Sequence, residues 1–383
     1  MRILVLGGAG FIGSEAVKDL VKTSDFSEIV VGDIDLEKAK KFVAELKDER
    51  VSAIKIDVRN EKELVNTLKE FDIVASTLPF KYDIFVTKAA IKAGINGLDV
   101  AQEEDQFALD EEAKKAGITY IAGLGATPGI TNVLSRYGVD RLDTVYKIEI
   151  AFAPFRCVAP APGLLYTTLW EADPQVKERL IYQDGEFIRV PPLSHPKIVD
   201  FPEPIGRLEA YVMPHEETRT LPKYIKGLKT VIVRGAWPPK IQNLLKFIKN
   251  FNVLKDEKIK VGDALVSPRE FIYEFLLQAP EAKEQDLWGY ALYIEVYGFK
   301  EGREIKLTYR VSHPTTGEWA GKVAYPKFVG SPLSIGAQLL AHGKIKEKGV
   351  LPPEACVPTE EFISELVKRG YIIEEKTEGH YKF

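Results

Sequence analysis

Ile3-Leu4-Val5-Leu6-Gly7-Gly8-Ala9-Gly10-Phe11-Ile12-Gly13-Ser14 opens the chain with a short apolar run that breaks into a glycine-rich loop. Four apolar residues stopped by glycine read as a buried strand, and residues 14–22 carry helical periodicity. The loop between them has the spacing G-x-G-x-x-G. There Gly8 permits a tight turn, Gly10 lets the backbone approach a pyrophosphate, and Gly13 lets helix and strand pack closely. Loop amides, including those around Phe11 and Ile12, and the positive end of the helix then hold the anion. The pattern predicts a dinucleotide-binding site.

The next strand selects the dinucleotide. Asp33 closes the apolar run Ile29-Val30-Val31-Gly32 and lies 33 − 13 = 20 residues beyond the last glycine. An acidic side chain there accepts hydrogen bonds from the adenosine ribose and repels a 2′-phosphate, so NAD is expected rather than NADP. Ile34 follows at the rim, and Asp35 suits the cap of the helix at 36–46.

Outward from this unit, strand-like runs at 3–6, 28–31, 51–56, 72–76, 96–100 and 119–122 alternate with helical stretches at 14–22, 36–46, 61–70, 84–93 and 107–115. That alternation predicts an α/β fold, a Rossmann-type doubly wound parallel sheet with helices on both faces. Ligands bind outside the carboxyl ends of such strands. Asp57 and Val58 are therefore expected near the adenine, Ser76, Thr77, Leu78 and Pro79 beside the nicotinamide half, and Asp99 and Val100 at its ribose or carboxamide.

At 383 residues the chain exceeds one compact core, which predicts further domains. Beyond residue 125 the alternation ends. Strand-like 145–152 and 230–233, a helix at 241–251, and two runs at 287–299 and 304–312 flanking Lys300-Glu301-Gly302-Arg303 predict an α+β domain with a mixed or antiparallel sheet. The expected boundaries are 1–125 for the dinucleotide domain and 126–330 for a substrate and dimerisation domain. A helical or αβ segment over 331–383 is expected to pack back on the first.

A net charge of −4 supplies no field for nucleic acid, and no apolar run reaches the ~20 residues that cross a bilayer. Cys157, Cys356 and the scattered histidines make no metal spacing. A cytoplasmic protein with a small-molecule substrate is expected.

The glycine loop is also similar to that of extended short-chain dehydrogenases, but those need Tyr-x-x-x-Lys, and no tyrosine here has a lysine four residues later. Several separated blocks resemble the saccharopine dehydrogenase-like family, which includes saccharopine reductases and lysine 6-dehydrogenases. They are Asp99-Val100, Gly125-Ala126-Thr127-Pro128-Gly129-Ile130-Thr131-Asn132, Leu165-Tyr166 with Trp170, Thr230–Gly235, and Gly330-Ser331-Pro332-Leu333-Ser334-Ile335-Gly336-Ala337 followed by Gly349–Glu354. Two departures stand: Arg234 lacks the family's Tyr-Pro-Gly-His continuation, and Asp33 argues for NAD where saccharopine reductases typically prefer NADP.

The resemblance implies hydride transfer at a carbon bearing nitrogen, in lysine metabolism, on an amino-acid substrate, by a homodimer. It extends the cofactor contacts to Gly125 and Pro128. Arginine forks bind carboxylates, so Arg219 and Arg234 are the expected anchors, with Tyr166 at the substrate. His215 and Asp99 are candidates for the proton acceptor, and Arg234 is counted with them in the catalytic group. Two alternatives stay open: a catalytically silent NAD-binding sensor, and a carboxynorspermidine-type polyamine dehydrogenase. The latter would need acids such as Glu209, Glu216 and Glu217 facing a cationic substrate.

Overall fold

A computed structural model describes residues 1–380, apart from the side chains of Glu104 and His380. Residues 381–383, within the expected C-terminal segment, lie outside the described residues. The chain divides into two compact units, one of Met1–Asp140 with Pro326–Tyr371, the other of Arg141–Tyr325 with the chain from Ile372 on.

The first unit is built by β1 (Arg2–Leu6), α1 (Gly13–Thr23), β2 (Glu28–Asp33), α2 (Leu36–Leu46), β3 (Val51–Lys55), α3 (Glu61–Leu68), β4 (Ile73–Ser76), α4 (Asp83–Ala93), β5 (Asn96–Asp99), α5 (Asp110–Ala116), β6 (Thr119–Ile121) and α6 (Ile130–Val139). The strands pair in parallel in the order β6-β5-β4-β1-β2-β3, and a seventh, Gly349–Leu351, adds beside β6. The sheet is apolar on both faces, with Leu4, Leu6, Val30, Val74 and Tyr120 in one core cluster. This is the doubly wound sheet that the alternation predicts. Its order reverses between β1 and β4, which opens a crevice at their carboxyl ends.

In the second unit, β7 (Thr144–Phe155) leads to α7 (Pro162–Ala172), β8 (Leu180–Gln183), β9 (Glu186–Arg189), β10 (Lys197–Asp200), β11 (Arg207–Val212), α8 (Glu217–Tyr224) and β12 (Thr230–Gly235). Then come α9 (Pro239–Phe251), the small hairpin β13 (Ile259–Val261) and β14 (Ala264–Val266), α10 (Pro268–Gln278), β15 (Gly289–Lys300) and β16 (Arg303–Ser312). The main path of the nine-stranded mixed sheet runs β10-β11-β12-β7-β15-β16 and ends on the terminal strand Ile372–His380. Among the described residues of this sheet, only β12 and β7 pair in parallel. The hairpin expected at Lys300–Arg303 closes β15 on β16.

The helical segment expected from residue 331 is entered on a helix over Ala324–Ala341 that continues through Pro332. Beside the expected boundaries at 125 and 330, the chain divides after Asp140, Tyr325 and Tyr371. The tail also splits between the units: Gly349–Leu351 pairs with β6, but Ile372–His380 pairs with β16, where its charged Glu374, Glu375, Lys376 and Glu378 suit a sheet edge. No helix among the described residues is long and apolar enough to cross a membrane.

Candidate functional site

The phosphate loop leaves β1 at Gly7 and turns into α1 with no side-chain cap at Ile12. Its glycines are sterically required. A Cβ on Gly10 would stand 2.8 Å from the Gly7 carbonyl oxygen, and one on Gly13 only 2.2 Å from the same atom. Thr77, just past β4, braces the loop from beneath by donating its hydroxyl to the Leu6 and Gly7 carbonyls at 3.0 and 3.1 Å. Such a cradle fits a dinucleotide pyrophosphate.

Around it, the residues expected to contact the dinucleotide lie at or just past the strand ends. Asp33 ends β2 and accepts from the Asp35 amide at 3.1 Å, and Asp35 caps α2 through the Lys38 amide. Lys55 is the register partner of Asp33 on β3. Asp57 is chelated by Arg59, which holds its carboxyl down at about 2. Ile34 is exposed and Val58 buried.

At the nicotinamide end, Leu78 packs against Gly7. Ser76 is buried and lies 3.4 Å from Asp83. Asp99 is wholly buried and accepts from Gln106 Nε2 and from the Gly123 amide, both at 2.7 Å. Burial pushes its carboxyl up to about 7 despite those bonds, and the equally buried Asp83 is raised well above the ordinary carboxylate range by burial and by Asp99.

Gly125 and Pro128 belong to a tight loop closed by the Gly125 amide on the Pro128 carbonyl at 2.9 Å. Asn132 secures it, accepting from the Gly129 amide and donating to Glu354, both at 2.8 Å. Two blocks read separately in the sequence thus meet in space. The later glycine block also packs here, since a Cβ on Gly330 would meet the Ala16 amide at 2.9 Å.

The substrate-side candidates do not form one group. Arg234 on β12 is register partner to Ala151, which puts it on the sheet face that carries Glu149. There Arg234 lies 3.7 Å from Glu149 and donates to the His195 carbonyl at 3.0 Å. Glu149 and Glu295, both buried, share Lys197 on this face. Burial favours the neutral acid, but Lys197 and Arg234 outweigh it and hold Glu149 near 2. His215 is on the opposite face, its ring 4.5 Å from that of Phe152. Arg219, on α8, pairs with Glu216 at 2.7 Å. Tyr166 is on α7 and 41% exposed.

His215 is the centre of a buried polar group. Its Nδ1 is 3.3 Å from Glu217 Oε2 and its Nε2 is 4.0 Å from Glu171 Oε1. Burial alone would lower the imidazole pKa, but the carboxylates of Glu217, Glu171 and Glu216 outweigh it and leave it raised. Burial raises that of Glu171, whose second oxygen has no hydrogen-bond partner. The neighbouring arginines spend their donors elsewhere. Arg156 donates to the Cys157 and Val158 carbonyls and to Thr168, with its Nε unpartnered, and Arg179 donates to the Glu171 and Asp173 carbonyls. Two buried acids, an imidazole and a spare guanidinium donor can bind a molecule carrying both amine and carboxylate.

Sequence reasoning missed Glu171, Arg156 and the Glu149–Glu295 pair. The available signal was a lone charge inside an apolar element, as in Ile148-Glu149-Ile150, Ile294-Glu295-Val296 and Leu169-Trp170-Glu171.

A glycine cradle at the switch point of a doubly wound sheet defines a pyridine-nucleotide-binding oxidoreductase fold. Two family models match consecutively, the saccharopine dehydrogenase NADP binding domain over residues 3–121 and the saccharopine dehydrogenase C-terminal domain over residues 125–371. The chain belongs to the saccharopine dehydrogenase family. It is 23% identical over 405 residues to carboxyaminopropylagmatine dehydrogenase of Synechocystis, covering 100% of both chains. It is 22% identical over 394 residues to carboxynorspermidine synthase of Vibrio cholerae, covering 94% of this chain and 93% of that one. Its fold is similar to that of apo saccharopine dehydrogenase (L-Glu forming) from Saccharomyces cerevisiae, with TM-score 0.75, 18% identity, and 98% and 99% of the two chains covered.

Proposed function

We propose that this protein is an NAD-dependent dehydrogenase of a secondary or primary amine whose substrate carries a carboxylate and a cationic arm, as carboxyalkyl polyamines do. The observation that carries this reading is the buried group Glu171–His215–Glu217. An ammonium or guanidinium is the chemical complement of two buried carboxylates, and Arg156 Nε offers the complementary donor to a carboxylate. The full-length likeness to two polyamine-type enzymes supports it.

The saccharopine reading is weaker on this site. Saccharopine demands anchors for several carboxylates, yet Arg219 and Arg234 already face Glu216 and Glu149. Lysine, with one carboxylate and two amines, suits the same acids and is the second reading.

Bound nicotinamide would supply the hydride acceptor for the carbon beside nitrogen. In this reading His215 takes the amine proton, held in orientation by Glu217, and Glu171 binds the cationic arm. Asp33 supports NAD over NADP by its charge at the ribose, although Lys55 beside it and the NADP in the family model's description lean the other way.

The test is Glu171→Gln. KM for a carboxyalkyl polyamine should rise by about tenfold or more while the dissociation constant of NAD is unchanged. An unaltered KM would remove the acid pair from the substrate site.

A further inference from the structure

Gln102 lies three residues beyond the end of β5 and is 8% exposed. Both polar atoms of its carboxamide, Oε1 and Nε2, are buried without a hydrogen-bond partner. Buried amides are rarely left so, because each orphaned donor or acceptor has lost its water and gained nothing. Nor is the side chain loosely held. A Cβ on Gly123, just past β6, would stand 2.9 Å from Gln102 Oε1 and 2.8 Å from Pro128. Gly123 itself adopts a φ of +84°, which favours glycine.

The loop that carries Gln102 is held by its own hydrogen bonds. Asp99 accepts from the Gly123 amide and from Gln106, Gln106 accepts from the Glu103 amide at 2.8 Å, and the Leu124 amide donates to the Asp99 carbonyl at 2.7 Å. One amide out of this loop is left with a matched donor and acceptor. Its location is on the β5–β6 side of the crevice, whereas Asp33 marks the adenosine half beyond β1. The group in a pyridine dinucleotide with one carbonyl and one amide NH2 on that side is the nicotinamide carboxamide.

We propose that Gln102 is the residue that orients the nicotinamide ring. Its Nε2 donates to the carboxamide oxygen and its Oε1 accepts from the carboxamide NH2, a reciprocal pair that an apolar or one-handed side chain cannot make. The proposal rests on the reading of the crevice as a pyridine-nucleotide site. Gln102 acts as a positioning residue for the cofactor, and Asp99 and Gln106 act through it by holding the loop.

Calorimetric titration tests it with three probes: NADH, the reduced 3-acetylpyridine analogue in which a methyl group replaces the amide NH2, and ADP-ribose, which lacks the ring. The wild type should bind NADH about tenfold or more tightly than the acetylpyridine analogue. Gln102→Leu should weaken NADH by a similar factor, abolish that discrimination and leave ADP-ribose unchanged. Equal affinity of the wild type for the two dinucleotides would overturn the proposal without any variant, as would a Gln102→Leu variant that kept full discrimination. A wild type that bound ADP-ribose and neither dinucleotide would sink the cofactor reading itself, an outcome distinct from both.

Discussion

His215 Nδ1 stands 3.3 Å from Oε2 of Glu217, a carboxylate with no exposed surface. Burial lowers an imidazole pKa and a facing anion raises it, and here the anions win, so the ring titrates above 6.5. If neutral His215 takes the amine proton, kcat/KM for oxidation climbs with pH through that raised value. Glu217→Gln removes the stabilising charge and leaves the burial, so the acid limb of the profile should move to lower pH. A limb that stays in place would exclude His215 as the titrating base.

In the proposed reading, Asp33 selects NAD over NADP. Asp33→Ser removes the ribose acceptor and should weaken NAD by about tenfold to a hundredfold, in line with roughly 1.5–3 kcal/mol for charged hydrogen bonds. NADP should bind better, helped by the neighbouring Lys55. Dissociation constants for both dinucleotides measure this, and an unchanged ratio would mean that Asp33 does not touch the ribose.

Glu149 is structural in this account, and its removal should cost stability alone. Lys147, Lys197 and Arg234 converge on it within the second unit. Glu149→Gln leaves those cations facing a neutral amide, with an expected loss of about 3–5 kcal/mol at pH 7. Because its folded pKa is lowered to about 2, the stabilisation is present above the ordinary value of 4.5 and fades as pH falls toward 2. Denaturant titrations at several pH values should show variant and wild type converging in acid, with NAD affinity unaltered.

Asp99 runs the opposite way. Its folded pKa is raised to about 7 by burial, so the native state keeps a proton that the unfolded chain releases above the ordinary 3.8. That contribution to stability is complete below pH 3.8 and is lost as pH rises to 7. Asp99→Asn should flatten the unfolding free energy over this window, gaining on the wild type as pH rises. Parallel curves would show that Asp99 is ionised throughout.

The fold of the dinucleotide half was legible because its glycines and strand ends obey local rules, and the parallel sheet follows the alternation those rules set. The second half was not, because its sites depend on which face of a strand a residue occupies. Arg234 and His215 look like neighbours in chemistry, but the register of β12 on β7 puts Arg234 with Ala151, while His215 contacts Phe152 on the other side. The tail misled for a similar reason. Ile372–His380 follows a segment that pairs with β6, yet its own pairing is with β16, 60 or more residues earlier. Gln102 carried no motif and became visible only through its two unpartnered atoms.

Following NADH formation with carboxynorspermidine, carboxyaminopropylagmatine, saccharopine and lysine tests the central claim most directly. The expected result is turnover with NAD of at least one carboxyalkyl polyamine at a kcat/KM well above that of saccharopine. Turnover of saccharopine alone would contradict the cationic reading of Glu171, His215 and Glu217, turnover of lysine alone would favour the second reading, and binding of NAD with no turnover of any amine would show a silent nucleotide-binding protein.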